Sequence, residues 1–352
     1  MANLISLLAV KPSGFWEGLI FGFNNVFTNY AVAIILLTVC IKLVMLPIDF
    51  LNRKSSSKMQ EVQEKIGPKL TEIKKKYPDP QVQNQKTQEL YSKEGFNPAG
   101  SCLTMIIVLV LSMVVFFTLF GSLNTMASYK IQDQYQNLQR AYVQEYVMDK
   151  ENLTQEEYNL FVIDNENMTT YINAVKDSAN ETLIENAKNN VKQRYSEVKE
   201  SFLWIKNVWI ADSLTAKEIP DYATYCSIAG VTQTQEGKVE YEAVMGDLIN
   251  NAGVNGYFLL AILTGVTAFL YQYLLTKKKK QKENFYTKNA QGNPAQNSGK
   301  AMLIIMPLIM VVFTLSYNSI FALYIIISQL VGIATAPLIN WLISLESKKK
   351  KN

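Results

Sequence analysis

Residues 36–46 read "LLTVCIKLVML" and set a single lysine, Lys42, inside an apolar run that reaches back to residue 31. Such a run suits a helix that crosses a hydrocarbon core of about 30 Å, for which about 20 apolar residues are needed. A lysine at the centre of such a helix costs about 2.5 to 3.5 kcal/mol on insertion scales. Lys42 therefore either extends its stem to the membrane surface or faces a wet cavity or a partner. It lies seven residues from the expected end of its span, which is roughly 10 Å at helical rise, so snorkelling is open to it.

Outward from this stretch, the apolar residues are clumped rather than spread at globular periods, with 49% of the chain hydrophobic and 18% charged. Spans are expected at 29–50, 101–125, 256–276, 301–317 and 319–343, each long enough to cross a bilayer. The fold class is therefore all-α: a polytopic membrane protein with five transmembrane helices. There is no histidine, which removes the commonest general base and the commonest zinc ligand. Cys40, Cys102 and Cys226 offer neither a disulfide framework nor paired metal-ligand spacing. The sequence points to no enzyme, cofactor or metal site.

Charge sets the orientation. Residues 126–255 carry 20 acidic and 11 basic side chains, whereas the remainder carries 10 acidic and 23 basic. By the positive-inside rule, segment 51–100, the basic loop 277–300 with its "KKKKQK" run and the basic tail 344–352 are cytoplasmic. The N-terminus and the 126–255 insertion are then outside, in the plasma membrane topology that five spans allow. The N-terminal stretch "NLISLLAV" has no basic region ahead of it, so a standard signal peptide is not evident, and a leader removed before this numbering is left open.

The polar regions also read as helical. In segment 1–28, Trp16, Leu19, Ile20, Phe23, Val26 and Phe27 share one helical face, which suits either a helix in the outer interface or one packed on the protein. Met59, Val62, Ile66, Leu70, Ile73 and Tyr77 form a second stripe, broken by Pro78 and Pro80 and followed by a polar helix over 82–93, so 51–100 is expected to be a helical hairpin. Its lysine-crowded face suits solvent, anionic lipid or RNA. In the insertion, "TQEE" at 154–157 is a capping box, and two stripes start at Ile131 and Leu183, so about three packed helices are expected. Residues 215–255 give no signal beyond an irregular or partly extended segment.

Several separated blocks, in order, resemble the YidC-type insertases of the Oxa superfamily. They are "AIILLTVCIKLVMLPIDFLNRKSSSKMQEVQEKIGPKL", "KKYPDPQVQNQKTQELYSKEGFNPAGSCL", "FLWIKNVWIADSL" at 202–214, "FLLAILTGVTAFLYQYL" and "MPLIMVVFTLSYNSIFALYIIISQL". The resemblance implies a chaperone-like insertase with nascent membrane proteins as substrates. The Sec translocon, the ribosome (through the basic hairpin and tail) and membrane lipids would be its partners. It also implies a groove open to cytoplasm and lipid, with a cation in the first span. Family members usually place arginine there; the aligned residue here is Lys42. Other departures are Ser101-Cys102-Leu103-Thr104 for Gly-Cys-Leu-Pro, Tyr317-Asn318-Ser319 for a proline-containing connection, and Ile325 for a frequent tryptophan.

Further groove candidates are Thr38, Thr104, Thr267, Gln272, Ser328 and Gln329, because polar side chains in spans face a bundle interior or a cavity. Each serves equally well as an interhelical hydrogen bonder. A transporter or channel, and a receptor with an outer helical domain, are the competing readings. Internal repeats and Gly/Pro-broken helix pairs, which would favour a transporter, are not evident.

Overall fold

The computed structural model describes residues 9–95, 98–276 and 295–349. The expected "NLISLLAV" stretch falls mostly outside these residues, as do most of the basic loop 277–300 and the last residues of the tail. The described residues form helices joined by loops, with two isolated bridges, Phe202 to Ile205 and Lys217 to Val254, and no strand. The chain is thus an all-α protein. Three stretches, Tyr30–Lys58, Ile106–Lys150 and Ser319–Glu346, are each long and apolar enough to cross a membrane, and Leu259–Leu274 and Ile304–Ser316 are shorter apolar helices.

The helices are α1 (Phe15–Phe27), α2 (Tyr30–Lys76), α3 (Pro80–Lys93), α4 (Pro98–Lys150), α5 (Gln155–Leu160) and α6 (Asn165–Lys176). They continue with α7 (Glu181–Val198), α8 (Tyr222–Ala229), α9 (Gln235–Asn251), α10 (Leu259–Thr276), α11 (Ala295–Ser316) and α12 (Ser319–Lys349). Two of them are longer than the sequence pattern suggests. The first apolar run and the hairpin stripe are one 47-residue helix, about 70 Å long at helical rise. Neither Pro47 nor Pro68 ends it, and no glycine or proline stands between Pro47 and Gly67. Likewise α4 carries its apolar run straight into the stripe that begins at Ile131.

The chain divides into two compact units. The first comprises Met1–Ile34, Phe120–Ile262 and Phe313–Leu323. Its core includes Leu123, Met126, Leu138, Trp209 and Tyr241, all under 2% exposed. Tyr135, Tyr225 and Tyr241 meet with ring centroids 4.8 to 5.1 Å apart, within the range of favourable aromatic pairs. In α1, Ile20 is buried and Phe21 packs on Tyr30 and Tyr129, but Val26 and Phe27 of the expected face are exposed. Residues 215–255 are more ordered than expected. Asp221 and Thr234 cap α8 and α9, and Gly230 ends α8 in the left-handed region at φ 71°. The expected capping box at Thr154 and Glu157 starts the short α5, and the insertion holds more helices than the three expected, with α6, α8 and α9 added.

The irregular segment 202–214 is held by a buried polar cluster. Asn255 Oδ1 accepts from Asn207 N at 2.8 Å, and Asn255 Nδ2 donates to the carbonyls of Asn207, Ile210 and Ala211. Asp212 accepts from the backbone N–H groups of Phe258 and Leu260, at 3.0 and 2.7 Å, and so caps the start of α10. The Ser319 hydroxyl donates to Ile210 O at 2.6 Å. A Cβ on Gly256 would lie 1.9 Å from Asp212 Oδ1, so only glycine fits that turn.

The second unit comprises Ile35–Leu119, Leu263–Val312 and Tyr324–Asn352. Within it the hairpin closes at Asp79, which caps α3 ahead of Pro80, and Lys65 and Lys69 both pair with Glu94. Exposed apolar side chains, among them Leu103, Ile107, Val110, Val114 and Phe117 on α4, form the surface that lipid would cover. Close packing uses glycine: a Cβ on Gly332 of α12 would come within 2.6 Å of Tyr271 on α10.

Two measurements test the first unit. Asn255→Ala strands the Asn207 N–H and the Ala211 carbonyl, while Ile210 O keeps Ser319 and Asn207 O keeps the Ile210 N–H, and is expected to cost about 2 to 3 kcal/mol in unfolding of the purified protein. The second concerns Glu240, which is buried and accepts from Gln139 and Thr169 but pairs with no basic side chain among the described residues. Burial lifts its carboxyl above the usual carboxylate range. The folded chain thus binds this proton more tightly than the unfolded one. Its contribution to stability is full below the ordinary carboxylate pKa and is lost as pH rises through the raised value. Unfolding temperatures measured across that window should fall with rising pH more steeply in the unmutated chain than in Glu240→Gln.

Candidate functional site

The second unit contains a cavity of about 200 Å³. Lys42 reaches it from α2 and Phe116 from α4, while Ala268, Tyr271 and Gln272 line it from α10. Met306 and Met310 enter from α11, and Tyr324, Ile325, Ser328 and Gln329 from α12. The contributing positions recur at three- and four-residue steps, which puts each set on one helix face. The lining is mixed: Phe116 and Tyr324, with ring centroids 6.3 Å apart, and two methionines share it with an ammonium, two amides and hydroxyls.

Of the residues expected from the sequence, Lys42, Gln272, Ser328 and Gln329 line this one cavity. Thr267 adjoins them, since its hydroxyl meets Gln329 Oε1 and also donates to Leu263 O at 2.8 Å within α10. The Ser328 hydroxyl is buried near that of Tyr324 but makes no hydrogen bond of normal geometry. Thr38 is buried at 1% exposure and does not line the cavity. Thr104 lies on α4, and its side chain is outside the described residues. Tyr271, Tyr324, Met306, Met310 and Phe116 were not singled out from sequence, because aromatic residues and methionines look like ordinary span residues there. The one available signal was the adjacency of Tyr271 to Gln272.

Charge is arranged along one helix. Lys42 is half-buried, Asp49 lies two turns on within electrostatic reach of both Lys42 and Arg53, and Arg53 Nη1 donates to Ala336 O at 3.5 Å. Further along, Lys54 pairs with Glu346 at 2.5 Å. The neighbours of Lys42 along the chain, Leu43 and Val44, are 54% and 76% exposed and carry no polar group toward it. The ammonium is therefore turned to the polar side of its helix. That arrangement can hold an anionic or strongly dipolar group within a bilayer while the methionine and aromatic lining adapts to apolar side chains. At the departure from the proline connection, Asn318 Oδ1 accepts from Phe321 N at 2.9 Å, so an N-cap starts α12 where proline would.

A family model described as "60Kd inner membrane protein" matches residues 22–346. The chain belongs to this family. Among relatives named "Membrane protein insertase YidC", that of Polynucleobacter asymbioticus is 38% identical over 119 residues, 34% of this chain and 20% of its own length. That of Fusobacterium nucleatum is 38% identical over 98 residues, and that of Caldanaerobacter subterraneus subsp. tengcongensis is 40% identical over 98. Each of these two matches covers 28% of this chain and 44% of the relative. The matched stretch thus spans less than half of each relative. As a member of the 60Kd inner membrane protein family with apolar, membrane-length helices, the chain is a multi-pass membrane protein.

Thiol chemistry reports on water in the cavity, because the thiolate reacts and lipid does not support it. In a background without the native cysteines, Lys42→Cys is expected to react with a charged, water-soluble maleimide at least about tenfold faster than Val44→Cys. Equal rates at the two positions would mean that the cavity is dry.

Proposed function

We propose that the chain is a membrane protein insertase and chaperone that takes small or partly hydrophobic polypeptides into the bilayer through the cavity lined by Lys42. The observation that carries this is the convergence of Lys42 with Gln272, Ser328 and Gln329, from three helices, on one cavity. In this reading α2, α4, α10, α11 and α12 supply five spans. The α2–α3 hairpin and basic tail are cytoplasmic, and the N-terminus and 126–255 are outside. Charge distribution supports that orientation. Nascent membrane proteins are the substrates; the Sec translocon and ribosome are the partners that the family suggests.

The mechanism needs no nucleotide. Lys42 attracts an acidic group on a substrate's tail, and the amides and hydroxyls replace part of the hydration that this tail loses. A membrane potential negative inside then favours outward movement of the acidic group by about 2.3 kcal/mol per charge per 100 mV. Burial of the substrate's apolar helix in lipid adds about 25 cal/mol per Å². Lysine lacks the bidentate fork of arginine and loses its proton more readily when desolvated, so its grip depends on the cavity staying wet.

In a host depleted of its own insertase, this protein should restore insertion of a two-span substrate such as an ATP-synthase ring subunit. Lys42→Arg should retain that activity, and Lys42→Ala should lower the rate by about an order of magnitude. Failure of the correctly localised, unmutated protein on every small substrate would remove the insertase reading; full activity of Lys42→Ala would remove only the role of the cation.

A further inference from the structure

The first unit holds a second and larger cleft, of about 350 Å³, within the range of ligand pockets, about 300 to 1,000 Å³. It lies between α4, α5 and α7, and six side-chain amides and two guanidiniums line it beside Ala141, Tyr158 and the Glu197 carboxylate. On the α7 side, the side-chain amides of Asn190 and Gln193 line the cleft and hydrogen-bond nothing among the described residues. Arg194 is neutralised by Glu197 at 2.9 Å and also donates to Asn137 Oδ1 at 2.6 Å. Arg140 differs: it donates to the carbonyls of Tyr158 and Phe161, both at 3.0 Å, and makes no ion pair among the described residues. Its charge is left over, in a region where acidic side chains outnumber basic ones 20 to 11.

We infer that this cleft binds an extended, carboxylate-bearing stretch of polypeptide, the polar tail of a substrate that has crossed the membrane. A free primary amide offers the same donor and acceptor pair as a peptide bond, so Asn190 and Gln193 match a backbone regardless of its side chains. Arg140 supplies the site for a carboxylate. The surrounding net negative charge repels an acidic tail elsewhere, which confines it to the cleft. A sugar would want an open aromatic face, and the one aromatic ring here, Tyr158, is 3% exposed and covered by Arg140 at 5.2 Å. Arg140 lies about 15 residues beyond the expected end of the second span, roughly 22 Å at helical rise, where an emerging tail would reach. The choice of a translocated tail as occupant rests on the insertase reading; the affinity for an acidic peptide does not.

The test uses the full chain in nanodiscs and a fluorescein-labelled hexapeptide of alternating Glu and Ser, followed by fluorescence anisotropy. Saturable binding is expected, weakened by salt and absent for the Lys/Ser counterpart. Asn190→Ala with Gln193→Ala, neither of which holds the fold together, should lower affinity about tenfold. Arg140→Lys should keep more affinity than Arg140→Gln. Equal binding of the acidic and basic peptides, unchanged binding by the double variant, or competition by a neutral oligosaccharide but not by unlabelled acidic peptide would each overturn the inference. The two readings fail separately, since Lys42→Ala should leave peptide binding intact while the double variant should slow insertion only of substrates with long acidic tails.

Discussion

In the proposed reading, a bilayer admits the Lys42 ammonium only where water or polar groups stand in for its hydration shell, and the second unit gathers such groups into one cavity with it. Gln272 from α10 and Ser328 and Gln329 from α12 bring amides and a hydroxyl to the cavity that Lys42 lines. The opposite faces of the same helices are free to be apolar, as the exposed Val44, Leu270 and Leu330 are. Glycine at 332 lets α12 approach Tyr271 closely enough for this convergence. A span with an unaccompanied lysine would be a defect; here the lysine has companions on two other helices.

The first unit solves a different problem, that of ordering a non-helical segment. Residues 202–214 leave their backbone groups without a helical ladder, and Asn207, Asn255, Asp212 and Ser319 satisfy them from the side. The same side chains start α10 and anchor the start of α12. The short stretch "FLWIKNVWIADSL" thus holds a fixed path without regular structure, because polar residues such as Asn207 and Asp212 are hydrogen-bonding partners rather than a solvated face.

Much of this was legible in the sequence. The apolar runs gave the helices of membrane length, the stripe from Met59 to Tyr77 gave the hairpin arm, and the proline pair at Pro78 and Pro80 gave its turn. Gln272, Ser328 and Gln329 stand out as candidates because polar residues are conspicuous in apolar helices, and they line one cavity, whereas Thr38, picked by the same rule, does not. What was not legible had physical reasons. Periodicity sees a change of environment where the backbone makes none, so α2 and α4 looked divided although each runs on as one helix, α2 through both Pro47 and Pro68. In α8 and α9 the buried stripes, Tyr222, Tyr225, Cys226 and Ala229 in one and Tyr241, Val244, Met245 and Leu248 in the other, are short and set among small and polar residues, and the starts of both helices rest on the single capping residues Asp221 and Thr234. The methionine and aromatic lining of the cavity is indistinguishable in composition from a lipid-facing surface, and only packing separates Met306 and Met310 from Ile304 and Ile305, which are exposed.

In the proposed mechanism an incoming polypeptide occupies the cavity beside Lys42. Site-specific photocrosslinking tests it most directly, with a photoreactive residue placed in turn at 42, 329 and 44 and a ribosome-arrested two-span membrane protein as substrate. Crosslinks from 42 and 329 that depend on nascent-chain length, with little from 44, are expected. Crosslinks of equal strength at all three positions, or none at 42 and 329 while insertion proceeds, would contradict it.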